Sequence, residues 1–183
     1  MLLCIFVFFI AVGLFFTPLP SMLILTGLTK KEIYIEYAFF NSFSIIGYQS
    51  ISSLNLTFEK MYSVLSLATL ARCILFVLPS LLSIGLVEPN LWFIKTIMIL
   101  VGYTWAFLGI TMLGILLSLV PDNDRARAAS SFNALSSLGT VIGSLLSTLI
   151  VTRYSVGYAY IASGIIATIA LMLFIKARSA ILS

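Results

Sequence analysis

A single guanidinium inside a hydrocarbon run is the first piece of chemistry this sequence offers. Arg72 stands in SVLSLATLARCILFVLP, about ten residues into an apolar stretch, where an ionisable group is costly and is by default a functional candidate. Two readings compete for it: the long side chain snorkels to the edge of the apolar layer, or it meets an acid. None of the six acids falls at its depth, so an acid partner would come from another chain. Lys95 has Glu88 close in sequence and reads as a solvated or surface-paired lysine. The chain has no His, which removes the usual ligands of metal hydrolysis. Asp122 and Asp124 lie in a loop at a helix start rather than as an acid dyad within the membrane, and no spacing singles out a Ser and Lys pair. No catalytic residue, metal site or cofactor is expected, and the chain is not read as an enzyme. Cys4 and Cys73 fall in separate apolar runs and read as small hydrophobes, not as a bridge or a metal pair.

The uncharged polar residues are better organised. Turning about 100° per residue along SLVPDNDRARAASSFNALSSLGTVIGSLLSTLIVTR, residues 118–153, places Asn133, Ser137, Thr140, Ser144, Ser147 and Thr148 on one arc, flanked by Gly139 and Gly143. Leu135, Leu138, Val141, Ile142, Leu145, Leu146 and Leu149 take the opposite side. A soluble helix would carry Lys and Glu on its polar face. A helix in lipid turns hydroxyls and bare backbone toward other helices or a wet cavity. Gly139 and Gly143 read as helix-packing positions, and Asn133 and Thr140 as candidates for a solute-facing cavity.

The elements that must position these residues follow from composition. With 61% hydrophobic and 9% charged residues among 183 and a mean hydropathy of +1.18, the chain is read as an integral membrane protein of all-α class. The net charge of +4 comes from scattered basic residues and gives nucleic-acid binding no support. A hydrocarbon core of roughly 30 Å takes about 20 apolar residues per crossing. Six helices are therefore expected in one membrane domain covering residues 1–183, at about 2–25, 34–53, 62–86, 91–119, 127–151 and 155–176. The first lacks a basic leader and a small-residue cleavage pattern, so it is read as a permanent helix.

Punctuation supports this division. Gly13, Pro18 and Pro20 are expected to kink the first helix, and Gly27 to end it. Thr29 with Glu32 forms a capping-box pattern for the second, which carries Glu36, Asn41 and Gln49. Asn55, Leu56 and Thr57 match a glycosylation acceptor, a pattern common by chance. Pro79 falls near the end of the third helix, and VEPN precedes the fourth, where Gly102, Ala106, Gly109 and Leu113 form a stripe beside Tyr103 and Trp105. Gly102 and Gly109 read as helix-packing positions on that stripe. Asp122 and Asp124 favour the start of the fifth through capping and the helix dipole. Six crossings put both termini on one side, with Lys60, Arg125, Arg127, Lys176 and Arg178; Lys30, Lys31, Lys95 and Arg153 fall on the other. The small excess points to cytoplasmic termini.

A long glycine-bearing helix, then Val120, Pro121, Asp122, Asn123, Asp124, Arg125, Ala126 and Arg127, then a small-residue helix with Leu138, Gly139, Ile142, Gly143 and Ser144, resembles helices ten and eleven of a major facilitator superfamily transporter. The stretch from Phe8 to Leu28, with its mid-helix proline pair, is similar to that family's seventh helix and the turn after it. The resemblance covers nearly the whole chain as the C-terminal six-helix half. The loop from Gln49 to Lys60 departs from it, lacking the basic, glycine-containing signature of many members. The resemblance implies two inverted three-helix repeats, cytoplasmic termini and a cell-membrane location. It also implies a partner, either a second six-helix half or a second copy of this chain.

The resulting expectation is transport of a small solute across the lipid bilayer by alternating access, as a half-transporter. Asn41, Tyr103, Trp105, Asn133 and Thr140 are expected to border the cavity, although Tyr and Trp also fill space between helices. With no membrane acid or His seen as a proton relay, any coupling chemistry would lie in the other half. The competing reading is a non-transporting membrane scaffold or a remnant that packs but moves nothing. A channel would need a charged ring or a filter-like loop, and none is visible.

Overall fold

The computed structural model describes residues 1–86 and 91–182 and is built entirely from helices among them. The first apolar run forms α1 (Leu2–Phe16) and α2 (Leu19–Leu25). The break falls at Pro18, which has no N–H to give the Leu14 carbonyl. The Ser147 hydroxyl donates to that carbonyl instead, at 3.3 Å. Gly27, at φ +88°, takes the left-handed conformation that glycine adopts without a Cβ penalty. It ends α2 in a Schellman turn: Gly27 N–H donates to Ile24 and Leu28 N–H to Leu23.

The capping box is present. Thr29 caps α3 (Lys30–Ser52), its hydroxyl accepting from the Glu32 amide while the Glu32 carboxylate accepts from the Thr29 amide at 2.7 Å. α3 therefore begins four residues before the expected start at 34. Thr57 likewise caps α4 (Phe58–Val77). The expected third helix, 62–86, is divided by Pro79 into α4 and the short α5 (Ser80–Ser83), closed by Gly85 at φ +71°. The VEPN break and Glu88 lie outside the described residues. α6 (Leu91–Ser118) is the long glycine-bearing helix. A single 3-10 turn, Asp122–Asp124, leads into α7 (Arg125–Arg153). Asp124 stands at the N-cap but makes no side-chain cap bond; Asp122 pairs with Arg125 at 2.9 Å and Asp124 with Arg127 at 3.9 Å. α8 (Val156–Leu182) continues past the expected end at 176.

Five of these helical segments are long and apolar enough to cross a membrane: Leu2–Leu25, Phe58–Ser83, Leu91–Ser118, Asp122–Arg153 and Val156–Ile181. The expectation had been six. α3 has 23 residues, a length of about 34 Å at 1.5 Å per residue, so length is not what excludes it. Glu36, Asn41, Gln49 and four serines lower its apolarity.

Helix pairing is specific. α1 lies along α7 and α8, α6 lies along α3 and α4, and α4 lies along α8. The contacts fix direction. Phe6 meets Gly139, Ile10 meets Gly143 and Leu14 meets Ser147, so α1 and α7 run parallel. Phe40 meets Gly102 and Gly47 meets Tyr103 and Ala106, so α3 and α6 also run parallel. Ala11 accepts from Ser163 at 2.7 Å while Phe15 contacts Tyr160, and Val77 meets Gly164 while Ser83 meets Gly157. α8 is thus antiparallel to both α1 and α4.

The core is aromatic where α1 faces α6. Phe9 and Phe16 set their edges against Trp105, at 6.0 and 6.4 Å between ring centroids. Phe15 stacks on Phe76 of α4 at 4.5 Å. Most of α7 is outward: Leu138, Val141, Leu145 and Leu149 of its hydrocarbon side are exposed, as are Asn133, Ser137 and Thr148, whereas Gly139, Gly143 and Ser147 are buried. That is the arrangement a helix adopts when its apolar face meets lipid and its small residues meet another helix.

Candidate solute cavity

Five glycines on α1, α3, α6 and α7 bring backbones together in two helix pairs and leave a void between. At Gly143 an added Cβ would collide with the Ile10 carbonyl, and at Gly13 with the Thr140 carbonyl. Gly139 faces the Phe6 carbonyl at 2.7 Å from where a Cβ would stand. On the other pair, Gly102 is pressed against the Phe40 carbonyl and Gly47 against that of Tyr103. Close backbone approach of this kind demands glycine. Gly109 serves differently: a Cβ there would meet only the Tyr48 hydroxyl, at 3.1 Å.

The void is a partly open cavity of about 140 Å³ between α1 and α6, flanked by α3 and α7. Phe8 and Phe9 reach it from α1, Tyr48 from α3 and Phe132 from α7, and Trp105, Leu108, Gly109 and Met112 line it from α6. Phe9 holds the aromatic wall together, edge-on to Phe8 at 5.8 Å, Trp105 at 6.0 Å and Phe132 at 6.1 Å. The Tyr48 hydroxyl, beside Gly109 in this lining, is a hydrogen-bond donor.

Of the five residues expected to border a cavity, Trp105 lines this one. Tyr103 is half-buried, its ring 5.1 Å from Phe107. Asn41 is exposed on α3 and donates to the Tyr37 carbonyl at 2.8 Å. Asn133 is exposed on α7, and its carbonyl accepts from Ser136 at 3.0 Å. Thr140 is half-buried and gives its hydroxyl to the Ser136 carbonyl at 2.8 Å. Much of the hydroxyl arc of α7 is satisfied within its own helix in this way. Ser144 and Ser147 are the members that reach α1, Ser144 through a hydroxyl bond with Thr17 at 2.8 Å. Sequence reasoning missed Phe8, Phe9, Tyr48 and Phe132. Their one available signal was position: Phe132 precedes Asn133, and Tyr48 lies on the parallel neighbour of the Gly109 stripe.

Arg72 does not snorkel. Its side chain is fully buried between α4 and α6, where Nη2 donates to the Val101 carbonyl. Its guanidinium carbon lies 5.5 Å from the Phe76 ring centroid and 5.4 Å from that of Trp105. Nε and Nη1 have no hydrogen-bond partner among the described residues. An acid on another chain cannot touch a side chain with no exposed surface, so that expectation is set aside for this conformation.

A buried acid is present after all. Glu36 on α3 is 1% exposed, with one carboxylate oxygen unpartnered among the described residues. Lys95 places its ammonium over the rings of Trp92 and Phe39, at 5.2 and 5.7 Å. Among the described residues no cluster of three potential metal ligands forms. The chain matches no protein-family model, and neither the curated proteins nor the solved structures show significant similarity to it.

Proposed function

We propose that this chain is a six-helix half of a carrier of the facilitator type, moving a small solute across a cell membrane by alternating access in partnership with a second six-helix unit. One relationship carries the reading. Exchanging α1 with α6, α3 with α7 and α4 with α8 turns each major helix pair into another: α1 on α7 becomes α6 on α3, α1 on α8 becomes α6 on α4, and α4 on α8 maps onto itself. The glycines follow the same exchange, since Gly143 against Ile10 and Gly13 against Thr140 on one side answer Gly47 against Tyr103 and Gly102 against Phe40 on the other. Two three-helix units related in this way, with opposite chain directions, are the architecture of inverted-repeat transporters, whose solute sites lie where the repeats meet. The cavity between α1 and α6, one helix from each unit, supports assigning the solute site there.

The alternating helix directions favour both termini on one side, and the charge excess there favours the cytoplasmic side. Counting α3 as a crossing despite its lower apolarity completes six spans. Glu36, the buried carboxylate of that helix, is a group through which uptake could be coupled to protons.

Native mass in mild detergent, with identification of co-purifying proteins, comes first. A complementary six-span unit or a dimer justifies solute-uptake assays on the reconstituted assembly. Uptake by none of the combinations would replace the carrier with a non-transporting scaffold. Cysteine scanning at Asn41, Tyr103, Trp105, Asn133 and Thr140 with a water-soluble thiol reagent tests the wider cavity border. Protection at all five positions would remove them from it.

A further inference from the structure

Arg72 and the cavity share a wall. Trp105 presents its ring to the guanidinium at 5.4 Å and also lines the void. Phe76, 5.5 Å from the same guanidinium carbon, stacks at 6.5 Å on Phe8, another lining residue. A cation therefore sits one aromatic layer behind the cavity. The ion pairs among the described residues, Asp122 with Arg125 and Asp124 with Arg127, do not involve it. Two of its three nitrogens lack hydrogen-bond partners among the described residues.

Aromatic cavities ordinarily favour cations, which the ring faces attract. Here one of those rings, Trp105, already holds a cation, which Phe76 behind the lining shares. A second one would be repelled across a medium that screens poorly, and an anion attracted. The lining adds a donor, the Tyr48 hydroxyl over Gly109, and Trp105 carries an indole N–H. Size narrows the choice further, because the cavity of about 140 Å³ is close to the apolar cavity of about 150 Å³ that admits one benzene ring. We propose that this cavity binds a small aromatic carboxylate, its ring among Phe9, Phe132 and Met112 and its carboxylate toward Tyr48 and Trp105, with Arg72 acting through Trp105 to select negative charge. The inference rests on the cavity being the solute site.

Binding is measured without transport, so the two readings fail separately. The full chain with Trp92→Phe keeps Trp105 as its one tryptophan. It is titrated in detergent with benzoate, benzyl alcohol and benzylammonium while Trp105 fluorescence is followed. Benzoate should quench saturably and bind about tenfold more tightly than benzyl alcohol, with benzylammonium weakest. Arg72→Met should abolish the preference for benzoate and Arg72→Lys should keep it. Tyr48→Phe, on a 40% exposed side chain, serves if the Arg72 variants do not fold. It should weaken benzoate about tenfold and leave benzyl alcohol unchanged. No saturable quenching by any of the three, equal or tighter binding of benzylammonium, or an unchanged order in Arg72→Met would overturn the proposal. Benzoate binding without uptake by any assembly would leave it standing and remove the carrier instead.

Discussion

Gly143 of α7 and Gly13 of α1 lie backbone to backbone, so that a Cβ added to Gly143 would stand 3.0 Å from the Gly13 Cα and collide with the Ile10 carbonyl. Neither atom is the movable end of a side chain. Gly143→Val is expected to lower stability by about 1–3 kcal/mol through overpacking, read as a drop in thermal midpoint in detergent. Gly114→Ala is the control, since its Cβ would meet only the flexible Met61 thioether at 3.0 Å, and Ala gains helix propensity over Gly. Equal midpoints for the two variants would place the α1 and α7 contact elsewhere.

The start of α3 should be sensitive to acid. The Thr29 backbone amide, then its hydroxyl, donate to the exposed Glu32 carboxylate and hold it below its ordinary 4.5. A carboxyl lowered on folding adds stability that is complete above pH 4.5 and is lost as pH falls through the lowered value. Protection of the first α3 amides from hydrogen exchange should fall in that acid window in the native chain. Glu32→Gln should remove the acid dependence, and Thr29→Ala should cost about 1 kcal/mol of local helix stability. A pH-independent native profile would refute the linkage.

Helix class, breaks and caps were legible where local chemistry decides them, whereas the number of apolar spans was not. Apolar runs, Pro18, Gly27 and the pairing of Thr29 with Glu32 act within a few residues of one another, and the structure uses each. The glycines of α7 were readable as one arc because wheel position depends on spacing alone. The cavity was not readable in that way. Phe8, Phe9, Tyr48 and Phe132 come from three helices, and rings occur all around apolar helices, so only the identity of the neighbouring helix separates a lining ring from a filling one. Arg72 shows the same limit: its depth along α4 follows from sequence, but its cover by Val101 and Trp105 depends on how α6 crosses.

Both cysteines are buried, Cys4 at 5% and Cys73 at 9% exposure, on α1 and α4. In the folded chain in detergent neither should react with a membrane-permeant maleimide on the timescale that labels an unfolded sample, and both should label after denaturation. Rapid modification of Cys73 would mean that α8, which covers that side of α4, is not seated as described. Loss of protection in Gly143→Val at Cys4 alone would show that α1 separates before α4 does.

Arg72 tests whether the interior is built for stability or for binding. A buried charge with no acid partner among the described residues is a net cost that two ring faces and one carbonyl offset only in part. Its removal leaves no new orphan, because the Val101 carbonyl also accepts from the Thr104 hydroxyl at 3.3 Å. Arg72→Met, similar in reach and apolar, is therefore expected to match or exceed the native thermal stability. Arg72→Ala leaves a void against Phe76 and Trp105 and should fall below Arg72→Met by about 2–4 kcal/mol. If Arg72→Met is instead the less stable of the two, the guanidinium is holding the bundle together, and its role is structural. If Arg72→Met is stable while charge preference in the cavity is lost, the native chain carries the arginine at a cost to its own folding, which is the mark of a residue kept for what it binds.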